Sequence, residues 1–216
     1  MGEGSASPDV SCGMRHDYQQ MMARHFRHSS AIARRRGLDP SGVLDDSVDA
    51  GEESADCVAA DIEAWFLAVH AEKGGPGYWP DLIRYEGALF RTEALSRAGG
   101  RTVRADTPGR RPVRRAPSAR VIALDHDLPA LITRLDRLDE SDPIPWAVPT
   151  KATRLLIAMS PKGVLKVVRA SDALEAFLRT VDGERDFDLV VAGSGIDRES
   201  AQAALRSLIE IGAVEE

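Results

Sequence analysis

His25 and His28 stand three residues apart on one predicted helix face, and with His16 and Cys12 upstream they are the side chains whose types best suit a metal ion. No acidic ligand falls at matching spacing on that helix, so the imidazoles are read as solvated or packing groups. The triplet Asp125-His126-Asp127 offers acids beside a base. No nucleophile stands in register with His126, and Asp127 occupies the position of an N-cap for a following helix, which assigns the triplet to structure. Cys12 and Cys57 are the only cysteines, too few for a disulfide framework and without the paired spacing of a structural zinc site. No phosphate loop or nucleophile elbow occurs. The expected chemistry is recognition, without catalysis and without a cofactor in this chain.

The elements that would position such side chains follow from periodicity and punctuation. Residues 1–13 are rich in Gly, Ser and Pro and read as a flexible terminus. Over residues 14–36, Tyr18, Met21, Met22, His25 and Phe26 recur at helical steps. A second helix is predicted over 54–72 with Val58, Ile62, Trp65, Phe66 and Val69 on its apolar face. A third opens at Pro80, with Asp81 and Glu86 early and Leu82, Tyr85, Leu89 and Phe90 turned inward. These make a helical domain over 14–98. Residues 99–118, rich in Arg, Pro and Gly, read as a linker or loop.

Beyond the loop, 120–125 is a strand candidate and 128–138 a helix begun by Asp127 and Pro129; Asp139 to Pro149 is a second loop around Trp146. Residues 153–159 and 164–169 are β-rich and flank Ser160-Pro161-Lys162-Gly163, the composition of a hairpin turn. Three helices follow: 171–181 capped by Ser171, 187–192, and a last one from Asp197 to Gly212 with Ala201, Ala204, Leu205, Leu208 and Ile209 on one face. The expected fold is α+β, a helical N-terminal domain followed over 119–216 by a small winged-helix-like domain with a short antiparallel sheet.

The 216 residues carry a formal charge of -6, which disfavours nucleic-acid binding over the whole surface. The charge is uneven. Seven acidic and no basic residues lie between Asp45 and Asp61, and seven arginines against Asp106 alone between Arg101 and Arg120. Both stretches read first as solvated loops. Aromatic residues are 5% of the chain, so the cores must rest on Leu, Val, Ile and Ala. No apolar run approaches the ~20 residues that cross a bilayer, and no signal peptide opens the chain; a soluble cytoplasmic protein is expected.

A hairpin strand at a sheet edge leaves a row of unpaired N–H and C=O groups that an extended peptide can complete. Val164 to Arg169 is the candidate edge. The run Val164-Leu-Lys-Val-Val-Arg169, the Leu/Phe helix after it, Val181-Asp-Gly-Glu-Arg185 and Leu205-Arg-Ser-Leu-Ile-Glu-Ile-Gly212 together resemble the recognition domain (RiPP recognition element) of ribosomal peptide modification systems, of the coenzyme PQQ chaperone type. Upstream, Trp79-Pro-Asp-Leu-Ile-Arg-Tyr-Glu-Gly-Ala88 is similar to the helical segment of the partner proteins of multinuclear non-heme iron oxidative enzymes, which serve methanobactin and thiaglutamate biosynthesis.

The resemblance spans residues 78–216 and implies a non-catalytic subunit that forms a heterodimer with a TIM-barrel, multi-iron enzyme and holds the leader of a ribosomally made precursor peptide. The iron is then expected in the partner. It further implies that the leader lies between the hairpin strand and the final helix, at Val164, Lys166, Val168, Leu205 and Arg206. Lys166, Arg169 and Arg206 are expected to pair with acidic leader residues. Trp79, Tyr85 and Trp146 are the expected partner-interface positions. The competing class is a winged-helix regulator that binds DNA, with the arginine-rich loop reaching phosphates. Against it stands the mixed polar face of the last helix: Asp197, Arg198, Glu199, Gln202, Arg206 and Glu210.

Overall fold

The structure, a computed structural model, describes residues 10–44, 54–98, 112–139 and 142–215. Most of the acidic stretch and the first part of the arginine-rich one lie outside the described residues. The fold is α+β, as expected. It divides into two units, each assembled from two stretches of chain: residues 1–90 with 135–147, and 91–134 with 148–216. The expected domain boundary was at residue 98; the contact units divide at residue 90. No break in helical periodicity marks residue 90, and the return of 135–147 to the first unit leaves no signature in composition.

The first unit contains α1 (Val10–His25), α2 (Arg27–Arg35), a 3-10 turn (Pro40–Gly42), α3 (Ala55–Lys73) and the start of α4 (Trp79–Ala98). The single helix expected over 14–36 is two helices, broken at Phe26 (φ -93°, ψ 26°), and helix begins within the terminus expected to be flexible. Phe26 cannot cap α2 with a side-chain oxygen. The carboxyl group of Glu86 replaces the missing cap: its oxygens accept the His28 N–H at 3.0 Å and the Ser29 N–H at 3.1 Å.

Ser54 caps α3, which starts where expected, and Val58, Ile62, Phe66 and Val69 are buried along its face. Phe26 and Phe66 stack at 5.6 Å, and Trp79 lies 6.5 Å from Phe66. A Cβ at Gly87 of α4 would collide with the Glu63 side chain of α3.

The second unit holds two three-stranded antiparallel sheets. One has the order β2-β3-β4, from β2 (Arg120–His126), β3 (Thr150–Met159) and β4 (Leu165–Arg169). The other has β1 (Pro112–Arg115) between β5 (Asp182–Asp186) and β6 (Val214–Glu215). Helices α5 (Leu128–Leu135), α6 (Asp172–Arg179), α7 (Phe187–Gly193) and α8 (Arg198–Glu210) complete the described elements. Leu156 and Ala158 of β3 pack in one cluster with Phe177, Leu178, Leu205 and Leu208. Leu155 and Ile157, on the opposite face by alternation, are also buried, which explains the unbroken apolar run of β3.

Ser171, Asp186 and Asp197 cap α6, α7 and α8, accepting from the N–H groups of Leu174, Leu189 and Ser200. Each such cap contributes about 1 kcal/mol. The β5-β1-β6 sheet was not expected. Pro112–Arg115 lies mostly in the predicted linker, yet Val113 is fully buried; no strand was expected over Asp182–Asp186, where Asp182-Gly183 reads as the stop of the preceding helix. Three short, mostly polar strands lack the alternation that marks a strand locally, and only pairing distant in sequence creates them.

Candidate functional site

The hairpin sets the geometry of the candidate site. Ser160 N–H donates to the Val164 carbonyl at 2.9 Å, and at the far end Ala170 N–H donates to the Arg154 carbonyl at 2.9 Å. Both bonds join even-numbered residues. In an antiparallel ladder hydrogen-bonded pairs alternate, so Lys166 and Val168 turn their backbone groups toward β3, facing Ala158 and Leu156. Leu165, Val167 and Arg169 present theirs outward. Among the described residues no strand lies beyond β4, which is the edge strand expected.

The side chains obey the same parity. Lys166 and Val168 share the face of Leu156 and Ala158, and Val168 packs half-buried against the cluster that holds Leu205. The fold thus brings β4 and α8 to one apolar floor, with Arg206 exposed on α8. Leu205, an expected peptide-contact position, is itself fully buried in the core cluster. Its spacing from Ala201 and Leu208 is the ordinary signature of a helix core face. Val164 is 49% exposed, but its backbone is held by Ser160, whose hydroxyl also accepts the Val164 N–H at 3.1 Å. Val167, whose outward amide matters most, was not among the expected site residues; the turn that fixes ladder parity is the signal that finds it.

Arg169 is already engaged. Its guanidinium donates to Asp127 at 2.6 Å, and Lys151 donates to the other oxygen of that carboxylate at 2.9 Å. These two donors hold the Asp127 carboxyl below its ordinary pKa, the Lys151 hydrogen bond first among the causes. Asp127 therefore ties together the ends of β2, β3 and β4, and it also stands at the expected N-cap position, its carbonyl accepting the Leu131 N–H at 3.2 Å.

The expected partner-interface residues separate. Trp79, one of them, is fully buried between Phe66 and His70 in the core of the first unit. Tyr85 is half-buried, and its hydroxyl pKa is raised by burial and then by the neighbouring Glu86. Trp146 is 59% exposed, with the Arg36 guanidinium 4.4 Å from its ring centroid. It lines a groove of about 370 Å³ with Ile32, Pro76, Pro143 and Ile144.

His25 ends α1 and His28 lies in α2, so the break at Phe26 separates the face they were expected to share. His28 lies 3.1 Å from the Asp136 carboxylate; burial and then Arg27 lower its pKa. Among the described residues no three His, Cys, Asp or Glu side chains gather as a metal site, and no helix is long and apolar enough to cross a membrane. No protein-family model matches the chain, and no curated protein matches it.

Proposed function

We propose that this chain is a non-catalytic cytoplasmic subunit that binds the leader of a ribosomally made precursor peptide and presents it to a partner multinuclear non-heme iron enzyme. The observation that carries the reading is the outer edge of β4. Its outward backbone groups, at Leu165, Val167 and Arg169, lie beside an apolar face shared with α8. An extended leader adds as a further strand, its backbone on those groups and an aliphatic side chain against Val168. Lys166 and Arg206 then face acidic leader positions, whereas Arg169 joins them only by leaving Asp127. Trp146 supplies a partner-facing aromatic surface in the first unit.

The contribution to rate is positional. A tethered leader raises the effective concentration of the substrate segment at the partner's iron to the order of millimolar. The DNA-binding alternative gains no support from α8, whose Arg198 is paired with Asp188 at 3.1 Å.

The test is co-purification with the enzyme encoded beside this chain, then calorimetric titration of the complex with the leader of the neighbouring short peptide. A stoichiometric complex that binds the leader, weakened by Val167→Pro or Arg206→Glu, supports the reading. No complex and no leader binding, with salt-sensitive binding of promoter DNA instead, overturns it.

A further inference from the structure

The opposite edge of the same sheet carries a second row of outward-facing backbone groups. Even-numbered residues of β3 bond to β4, so its odd-numbered residues bond to β2. The ladder pairs there are Arg120 with Ile157, Ile122 with Leu155 and Leu124 with Thr153. The N–H and C=O groups of Val121 and Ala123 consequently point away from the sheet. Among the described residues no strand pairs with β2 on that side.

A groove of about 410 Å³ runs beside this edge, lined by Val121, Ala123, Arg115, Arg154, Leu178 and Arg179, with Glu175 as its one carboxylate. Val121 and Leu178 belong to the apolar cluster and supply a floor. The guanidiniums are held in place: Arg179 donates to Glu175 at 2.7 Å, Arg154 Nε lies 3.7 Å from Glu175 and also reaches Asp172, and Arg115 donates to the Ala119 carbonyl at 3.0 Å. Counting Asp172 with Glu175, three cations face two carboxylates, so the groove keeps a net positive charge beside two backbone positions that no described strand pairs.

We propose that this groove is a second peptide-binding edge, independent of the β4 edge, and that its occupant is an extended acidic peptide segment of a partner. The strand pairs through Val121 and Ala123, and its carboxylates, at alternate positions facing the groove, meet the guanidiniums of Arg115 and Arg179. Backbone pairing alone accepts any extended sequence; the positive lining selects the acidic one.

The isotope-labelled full chain is titrated with a capped nonapeptide alternating Val and Glu, and separately with one alternating Val and Lys, while amide resonances and hydrogen exchange are followed. The acidic peptide is expected to shift and protect the amides of Val121 and Ala123. Arg115→Glu and Arg179→Glu each weaken it roughly tenfold, Ala123→Pro abolishes pairing, and Val167→Pro leaves it unchanged. Shifts confined to Leu165, Val167 and Arg169, equal binding of the Lys peptide, or no shift at Val121 and Ala123 up to about 1 mM overturns the proposal. The two arginine variants lie on the surface and keep the test decisive if Ala123→Pro fails to fold.

Discussion

At the carboxyl of Glu86 two elements meet, because this α4 side chain closes the start of α2 from across the first unit's core. Burial pushes that carboxyl from 4.5 up to about 8, and the Ser29 and His28 donors oppose the shift without reversing it. Between those values the folded chain keeps a proton that the unfolded chain has released. The associated stability is fully present below 4.5 and is lost as pH rises through about 8. Urea unfolding followed across that range should show the midpoint falling, and Glu86→Gln should flatten the slope, with about 1 kcal/mol lost on the acid side from an imperfect cap. Asp127 runs the other way. Its depressed pKa contributes stability above 3.8 that is lost as pH falls. Lys151 and Arg169 are more than half exposed, so Asp127→Asn should cost no more than about 1 kcal/mol, measured by the same unfolding experiment. Neither role was legible in the sequence: Glu86 reads as one acidic residue near a helix start, and Asp127 as a cap.

The parity of the β4 ladder makes a sharper claim at the scale of the element. Proline at Val167 removes an outward N–H and should leave stability within about 1 kcal/mol, whereas proline at Val168 deletes a bond to β3 and should cost about 3 kcal/mol or more. Equal losses in denaturant unfolding would show that the ladder runs in the other phase. Gly212, just past α8, has φ +77°, and a Cβ there would lie 2.0 Å from the Met159 carbonyl. Gly212→Ala should therefore exceed the roughly 1–2 kcal/mol of a left-handed residue alone, read as a lowered denaturation midpoint. Sequence reading found α3 from its apolar face, and α6, α8 and the β3-β4 hairpin because Ser171, Asp197 and the turn at 160–163 punctuate them where backbone chemistry requires. It missed β1, β5 and β6. The β1 strand contributes one buried residue, Val113, and its neighbours in the sheet come from positions about seventy and one hundred residues further along.

Among the described residues, one apolar cluster gathers around the Phe26, Phe66 and Trp79 rings and another around Leu156 and three helices. Phe66→Ala and Leu156→Ala should each cost about 2–5 kcal/mol by chemical denaturation, since both sites are fully enclosed. Helical and strand-rich halves were legible from periodicity, but their limits were not. Arg35 reaches the backbone carbonyls of Asp139 and Asp142, and Arg27 reaches the Asp136 carboxylate; contacts of this kind attach 135–147 to the first unit without any local pattern to announce them. The interleaving has a consequence for how this protein is inherited and cut. A gene fragment ending at residue 98 would encode the first unit without the strip that carries Trp146, and would take residues 91–98 from the second. Neither unit is encoded by one continuous stretch, so a single cut in the gene cannot release either of them intact.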